Sequence, residues 1–280
     1  MKLSKIPRQY VYLVLSLAVL IPLLLPFDTR IKRIDKPSHD LFNAIDRIPP
    51  GSQAVLLSFD YDPSTSPELD PMAAAILRHC FARKVPVIAM SLYLTGAALG
   101  ERAVKKIADE YGCKSGVDYC NFGYRPAGSV VILWIGQSAR KAFPRDMYGT
   151  PFDSLPMMRN IRNYDDIPAV ITLCGSAVVG TWIIYANARY HANIGCGTTA
   201  VGAPDQYQFL QTGQMIGQLG GMKGAAEYEQ LIRDYGYTKV KGMATPAMNS
   251  VTIAHLLLII LVVLGNIGYF AVKRAKQKTS

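Results

Sequence analysis

The 280-residue sequence predicts a doubly wound α/β domain with a mostly parallel sheet, placed between an N-terminal and a C-terminal transmembrane helix. Two observations carry this prediction. An apolar segment lies close to each end of the chain. Between these segments, short apolar runs alternate with amphipathic stretches, which is the pattern of βαβ units in a parallel sheet.

The C-terminal apolar segment, residues 251–272, has about 22 residues without a charge. A helix needs roughly 20 such residues to cross the hydrocarbon core. The N-terminal segment, 11–27, has about 17, with Tyr10, Tyr12 and Arg8 at its edge. It lacks the small-residue exit of a cleaved signal peptide, so we expect an uncleaved anchor. The sequence thus predicts a two-pass protein of the cell membrane, with the lipid bilayer as a partner.

The charge distribution agrees with a membrane location. Of the net charge of +10, seven positive charges lie in the tails, at Lys2, Lys5, Arg8, Lys273, Arg274, Lys276 and Lys278. The rest of the chain has 23 basic and 20 acidic residues, so it lacks the basic footprint of a nucleic-acid-binding face. Basic tails favour the cytoplasmic side for both termini and an extracytoplasmic central domain. Basic residues also flank the other ends of both segments, and the orientation stays open.

The five cysteines are irregularly spaced, which favours buried single thiols over a disulfide framework or a zinc site. Cys113 and Cys120 are the nearest pair and could form a bridge in an oxidising compartment. No cofactor motif is present, and no cofactor is predicted.

The predicted domains follow from these features. They are the basic tail with the first span (1–27), a linker (28–51), the α/β domain (52–236), a second linker (237–250), the second span (251–272) and a basic tail (273–280).

Within the α/β domain, the predicted strands are short apolar runs, at 54–60, 86–92, 129–136, 169–173 and 192–197. The first helix opens at Pro67, with Ser66 as its N-cap and an apolar residue every three or four positions. The further predicted helices span 95–112, 175–189 and 206–235.

Two acidic residues follow the first predicted strand. Asp60 and Asp62 stand at the carboxyl end, where open parallel sheets bind ligands, so they are candidates for a Mg²⁺ site. The segment FDYDPST resembles the first motif of haloacid-dehalogenase-type phosphotransferases, which implies an Asp nucleophile, although the Gly-Thr of that motif is missing. The alternative is a turn in which Asp62 and Ser64 bond their own backbone.

Ser176 follows the strand at 169–173 and could be a nucleophile at a helix start, with His191 as the one plausible base. The glycines of a nucleophile elbow are absent. The alternative is a polar helix cap.

The order of strands and helices around KVPVIAM resembles that of ClpP–crotonase-type membrane-anchored peptidases. This resemblance implies a serine hydrolase, with Ser91 or Ser176 as nucleophile. The Ser-Gly-Gly and the glycine-rich oxyanion loop of that group are missing.

A closer resemblance covers nearly the whole chain. The stretches FDYDPSTSPELDPMA, QTGQMIGQLGGMKGAAEYE and HLLLIILVVLGNIGYF resemble an uncharacterised group of bacterial proteins with two membrane spans and a central Rossmann-like α/β domain. The resemblance implies this architecture and no activity.

Five glycines recur at three- or four-residue steps within the predicted helix 206–235, at Gly213, Gly217, Gly220, Gly221 and Gly224. Small residues at this spacing let another helix approach closely. We therefore expect a subunit contact, packing against the domain's own sheet, or approach of a ligand. Asn266 in the second span is a further candidate for helix pairing.

Together these features predict a membrane-anchored binding or assembly module, which would act as a scaffold subunit of a homo-oligomer or of a complex with other membrane-protein subunits. The alternatives are a serine hydrolase and a Mg-dependent phosphotransferase.

Overall fold

The computed structural model describes residues 7–25, 30–175 and 177–278. The chain divides into two compact units. One contains the described parts of Met1–Arg30 and Thr245–Ser280, and the other is the domain Ile31–Ala244.

The domain is built on a six-stranded parallel sheet of order β3-β2-β1-β4-β5-β6. The strands are β1 Val55–Asp60, β2 Val87–Ser91, β3 Tyr119–Tyr124, β4 Val170–Cys174, β5 Ile194–Thr198 and β6 Met215–Gly220. The predicted Rossmann-like α/β class is therefore confirmed.

Helices cover both faces of the sheet, and most connect successive strands. They are α2 Lys36–Asp46, α3 Ser66–Ala82, α4 Leu94–Tyr111, α5 Ser129–Gln137, α6 Ala139–Ala142, α7 Val178–Trp182, α8 Ala188–Tyr190, α9 Ala203–Gln211 and α10 Gly221–Asp234. A π-helical turn, Ile183–Asn187, joins α7 to α8. Three short 3₁₀ turns lie at Phe152–Ser154, Pro156–Met158 and Tyr164–Asp166.

On one face, side chains of the strands pack with α5, α7 and the segment that follows α5 to form the main hydrophobic core. On the other face, helices α2 and α3 pack so close to β5 and β6 that only glycine fits at three positions of these strands. A Cβ on Gly195 or Gly217 would overlap Leu41 of α2, and one on Gly197 would meet Met72 of α3. The doubly wound arrangement thus depends on small residues in β5 and β6.

The predicted third strand, 129–136, is wrong, because these residues form helix α5. A short apolar run that is buried looks the same as a strand or as a helix, since periodicity does not separate them. Ala127 and Gly128, both at positive φ, turn the chain just before the helix begins. The strand in this position of the sheet is β3, whose sequence YCNFGY has a glycine and an asparagine in place of a continuous apolar run.

The predicted helix 206–235 is also wrong. Its residues form α9, then β6, then α10. Gly213 lies in the turn before β6, Gly217 and Gly220 lie in β6, and Gly221 and Gly224 lie in the first turn of α10. The five glycines therefore do not share a helix face.

The close contacts of these glycines lie inside the domain. A Cβ on Gly217 would lie 2.5 Å from the backbone nitrogen of Leu41, and one on Gly224 would lie 2.8 Å from the backbone of Leu219. These contacts agree with packing against the domain's own sheet. The subunit contact at these positions remains a prediction.

The predicted linker 28–51 contains α2, which packs against β6. Ser66 is the first residue of α3 and not its N-cap, which is Thr65. No disulfide joins the five cysteines, all of which are described; four are buried as predicted, and Cys113 is partly exposed.

In the other unit, α1 Arg8–Leu24 and α11 Ala244–Lys278 are the helices of the two predicted spans. Within the described residues, one helix is long and apolar enough to cross a membrane, over Ala244–Phe270 of α11. With 17 residues, α1 is shorter than the roughly 20 that span the hydrocarbon core. The Ser250 hydroxyl of α11 donates to the Val19 carbonyl of α1 at 2.9 Å.

Candidate ligand-binding cleft

Asp60 is the last residue of β1, at the point where the strand order reverses towards β4. Its side chain is buried and accepts four hydrogen bonds. Oδ1 accepts from Ser58 Oγ at 2.8 Å and from the Leu92 amide at 2.7 Å. Oδ2 accepts from Thr172 Oγ1 at 2.9 Å and from Trp182 Nε1 at 3.1 Å. Both carboxylate oxygens are thus occupied by the protein.

Burial raises the pKa of Asp60, and the four hydrogen bonds oppose that rise. Asp62 is in a different environment. It is exposed, and its Oδ1 accepts from the Ser64 hydroxyl and backbone amide, which lower the pKa of Asp62. The pair therefore does not face a common ligand position, and Asp62 forms the local turn considered as the alternative. The described residues contain no group of three or more His, Cys, Asp or Glu side chains placed to hold a metal ion.

The serine-hydrolase candidates are not brought together. Ser91 is buried at the carboxyl end of β2, where its hydroxyl lies 2.6 Å from the Phe59 carbonyl and 2.7 Å from that of Tyr93. His191 is exposed and lies just before β5, at the amino end of the sheet. His191 and Ser91 lie at opposite ends of the parallel strands. A five-residue strand is about 16 Å long, so the two side chains are far apart. Ser176 lies outside the described residues.

A cleft of about 320 Å³ opens at the carboxyl ends of β5 and β6. Three helices, α2, α9 and α10, begin at its walls, and in the described structure none has a side-chain cap at its N-terminus. The polar and aromatic side chains that line it are Asp35, Ser38, Tyr207, Gln218, Lys223 and Glu227. None of these residues was singled out from the sequence.

Glu227 lies at the base of this β5–β6 cleft and is 1% exposed. Its carboxylate accepts from Ser38 Oγ at 2.6 Å and from the Asp35 amide at 3.3 Å, and Lys223 Nζ lies 3.1 Å away. Lys223 also pairs with the Asp35 carboxylate. Burial lowers the pKa of Lys223, but the hydrogen bonds to Asp35 and Glu227 outweigh it and leave a net rise. The buried carboxylate is therefore compensated, and a lysine is held at the cleft.

Gln218 is 2% exposed and lines the same cleft. Its Nε2 donates to the Ala203 carbonyl at 3.0 Å, while its Oε1 has no hydrogen-bond partner among the described residues. Leaving a buried acceptor unpaired costs about 1–3 kcal/mol. A bound group that donates a hydrogen bond would remove this cost.

A larger cavity, of about 550 Å³, opens at the amino ends of β1 and β2. Lys84, Tyr111, Cys113 and Asp118 are among its lining residues. No side-chain atom of the residues described around it is both buried and without a partner. It lacks the feature that distinguishes the β5–β6 cleft.

A sequence signal for the cleft does exist. The segment MIGQL, with three apolar residues, lies between Gly213 and the pair Gly220–Gly221, and Lys223 and Gly224 follow. Glycines that bound a short apolar run are strand-and-turn signals. Because the three- and four-residue spacing of the glycines was assigned to one helix, the strand and its turn were missed.

No family model, curated protein or solved structure matches this chain. The function must therefore be inferred from the chemistry of the cleft itself.

Proposed function

We propose that the protein is a membrane-anchored α/β module that binds a small polar ligand in the β5–β6 cleft. The observation that carries this proposal is the buried, unpartnered Oε1 of Gln218 in the cleft wall. The location adds support, because open parallel sheets bind ligands outside the carboxyl ends of their strands.

The membrane anchor rests mainly on α11. Its apolar stretch is exposed, unlike the core helix of a soluble protein. Exposed apolar surface of this extent is a feature of membrane-contacting segments. We propose that α1, which is bonded to α11 through Ser250, forms a second and shorter span. Both termini would then lie on the same side of the membrane.

The other candidate functions have less support. The assembly function relied on a glycine-lined helix face, which the fold does not contain. A phosphotransferase would need free oxygens on Asp60, and both accept hydrogen bonds from the protein. A hydrolase using Ser91 would need a base near it, and His191 lies at the opposite, amino ends of the strands.

Hydrogen–deuterium exchange of the full chain in detergent micelles tests ligand binding without naming the ligand. The protein is compared in dialysed buffer and in a small-molecule filtrate of the cells that express it. We expect the filtrate to slow exchange at the start of α10, because a ligand there would bond helix amides that have no acceptor within the helix.

The matched control is Gln218→Met, which removes the unpartnered acceptor and the bond to the Ala203 carbonyl but keeps an unbranched side chain of similar length. Its exchange should respond less to the filtrate than that of the wild type. Equal exchange with and without filtrate at the start of α10 would contradict the proposed function.

A further inference from the structure

We infer that the ligand of the β5–β6 cleft carries a phosphoryl group next to a hydroxyl, as in a polyol phosphate such as glycerol phosphate. This inference rests on the proposed function, because it names the class of ligand for the same cleft.

The turn from β6 into α10 provides the phosphoryl position. The first amides of a helix have no acceptor within the helix, and the positive end of its dipole attracts anions. Gly221, at φ 58°, makes the turn, and Gly224 lets α10 approach the backbone of Leu219. In the described structure no side chain caps these amides. A strand, a glycine turn and a helix N-terminus in this order form a ready anion-binding arrangement.

The charges at the cleft agree with an anion of this size. Lys223 faces two carboxylates, and the buried one, Glu227, has two further donors, the Ser38 hydroxyl and the Asp35 amide. The Asp35 carboxylate is about half exposed at the rim. Because water solvates it, its charge depends less on the ion pair with Lys223. Each of the three helix starts adds a partial positive charge of about half a unit. A phosphoryl group can therefore replace Asp35 as the partner of Lys223.

Gln218 is the reason for expecting a hydroxyl group on the ligand. Its free Oε1 is an acceptor and needs an O–H or N–H donor, which a fully ionised phosphate does not offer. A neighbouring hydroxyl on the same ligand supplies that donor. Tyr207, 49% exposed, adds an aromatic surface for a short carbon skeleton. The volume of about 320 Å³ is near the lower limit for ligand pockets, which favours a small molecule.

Calorimetric titration of the full chain in uncharged detergent micelles tests this inference with three probes: glycerol 3-phosphate, methyl phosphate and glycerol. Glycerol 3-phosphate should bind most tightly, because it alone satisfies both the helix amides and Gln218. Equal affinity for glycerol 3-phosphate and glycerol would overturn the phosphoryl assignment, with no variant needed.

Two variants separate the two parts of the ligand. Lys223→Met should weaken both phosphate-containing probes by about tenfold or more, since bonds between charged groups are the stronger ones. Gln218→Met should weaken glycerol 3-phosphate by about fivefold and leave methyl phosphate unchanged, because one neutral hydrogen bond to the ligand is lost. Lys105→Met, at an exposed lysine of α4, is the matched control and should change neither. Lys223→Arg should recover most of the binding.

Glycerol phosphate chemistry can come from a free metabolite or from a lipid headgroup. Phosphatidylglycerol and phosphatidylcholine, each added to the micelles, distinguish the two sources. Competition by phosphatidylglycerol alone would assign the headgroup, and competition by neither lipid would assign the free molecule. If the filtrate slows exchange at the cleft while all three probes fail to bind, the binding function stands and the phosphoryl class is wrong. If neither the filtrate nor any probe has an effect, both proposals fail.

Discussion

At the carboxyl end of β1, Asp60 occupies the position where many open parallel sheets place a ligand-binding group. Each of its oxygens receives one donor that cannot act as an acceptor, the Leu92 amide on Oδ1 and Trp182 Nε1 on Oδ2. Hydroxyls of Ser58 and Thr172 supply the other two bonds. The carboxylate thus links β1 to β4, to the start of the β2–α4 turn and to α7. We infer a structural role for Asp60.

We predict that Asp60→Asn destabilises the protein by roughly 3 kcal/mol. Whichever oxygen becomes the amide nitrogen, either the Leu92 amide or Trp182 Nε1 then faces another donor inside the protein. Thermal unfolding of the full chain in micelles, followed by circular dichroism, measures the loss. Asp62→Asn, at the exposed turn, is the matched control and should have little effect. An unchanged melting temperature for Asp60→Asn would contradict the structural role.

His79 of α3 is a second buried group whose environment explains its chemistry. Its ring is stacked on that of Phe42, with centroids 4.4 Å apart, and lies nearly parallel to that of Tyr237, at 5.2 Å. Nδ1 lies 2.8 Å from the Tyr228 hydroxyl and Nε2 lies 3.4 Å from Asp46. Because the Asp46 carboxylate only accepts, we assign the ring proton to Nε2. Burial lowers the pKa of His79 to about 4, although Asp46 opposes the shift.

This shift predicts a pH dependence of stability. The unfolded chain takes up a proton on His79 below about pH 6.5, while the folded protein does so only near pH 4. The stabilisation is therefore complete above pH 6.5, and roughly 3 kcal/mol is lost as the pH falls to about 4. Unfolding by urea at a series of pH values measures this loss.

His79→Gln can keep both hydrogen bonds but does not titrate, so its stability should depend less on pH in this range. His39→Gln, at an exposed position of α2, should keep the wild-type profile. Identical profiles for His79→Gln and the wild type would show that another group causes the effect.

At the scale of the element, the sequence predicted four of the six strands and the alternation of strands and helices. β1, β2, β4 and β5 are apolar runs buried on both faces, which is the pattern that identifies strands of a parallel sheet. β3 and β6 were missed because asparagine, glutamine and glycine interrupt them. Tertiary packing stabilises these two strands, and local propensity does not reveal it.

The site was less predictable than the fold for the same reason. Asp60 and Asp62 were correctly placed at a strand end, but the donors that occupy Asp60 come from β2, β4 and α7, far apart in the chain. The cleft depends on β6, which was not recognised. Lys223 and Glu227 line the cleft because α10 begins at Gly221, next to the start of α2. The sequence alone did not place the start of α10 there.

Gly217 provides a test of how β6 and α2 pack. A Cβ there would lie 2.5 Å from the Leu41 nitrogen and 2.7 Å from the Pro37 carbonyl, both backbone atoms. We predict that Gly217→Ala destabilises the domain by about 1–3 kcal/mol, because α2 must move away from the sheet. Urea unfolding of the full chain measures the change.

The control is Gly180→Ala in α7, where an added Cβ meets no described atom within 4 Å. This change should be neutral or stabilise by up to about 1 kcal/mol. A Gly217→Ala protein of unchanged stability that loses an oligomeric state would instead support the subunit contact predicted from the sequence.

At the scale of the whole molecule, the first and the last residue of the α/β domain are both hydrogen-bonded to helix α10. Where the chain enters, Ile31 exchanges two backbone hydrogen bonds with the Gln230 side chain of α10, at 2.7 and 3.1 Å. Where it leaves, the Ala244 amide donates to Glu229 at 3.2 Å. The two ends of the domain therefore meet at neighbouring residues of α10.

The last prediction concerns the topology of the two spans. With two spans, tags at residues 1 and 280 should show equal protease accessibility in sealed vesicles, because both tails lie on one side. A tag inserted at Gly149, in an exposed turn of the domain, should show the opposite accessibility. If α11 alone crosses, the tag at residue 1 would instead behave like the tag at Gly149. The tag at residue 1 thus decides whether α1, with 17 residues and a length of about 26 Å, crosses the membrane.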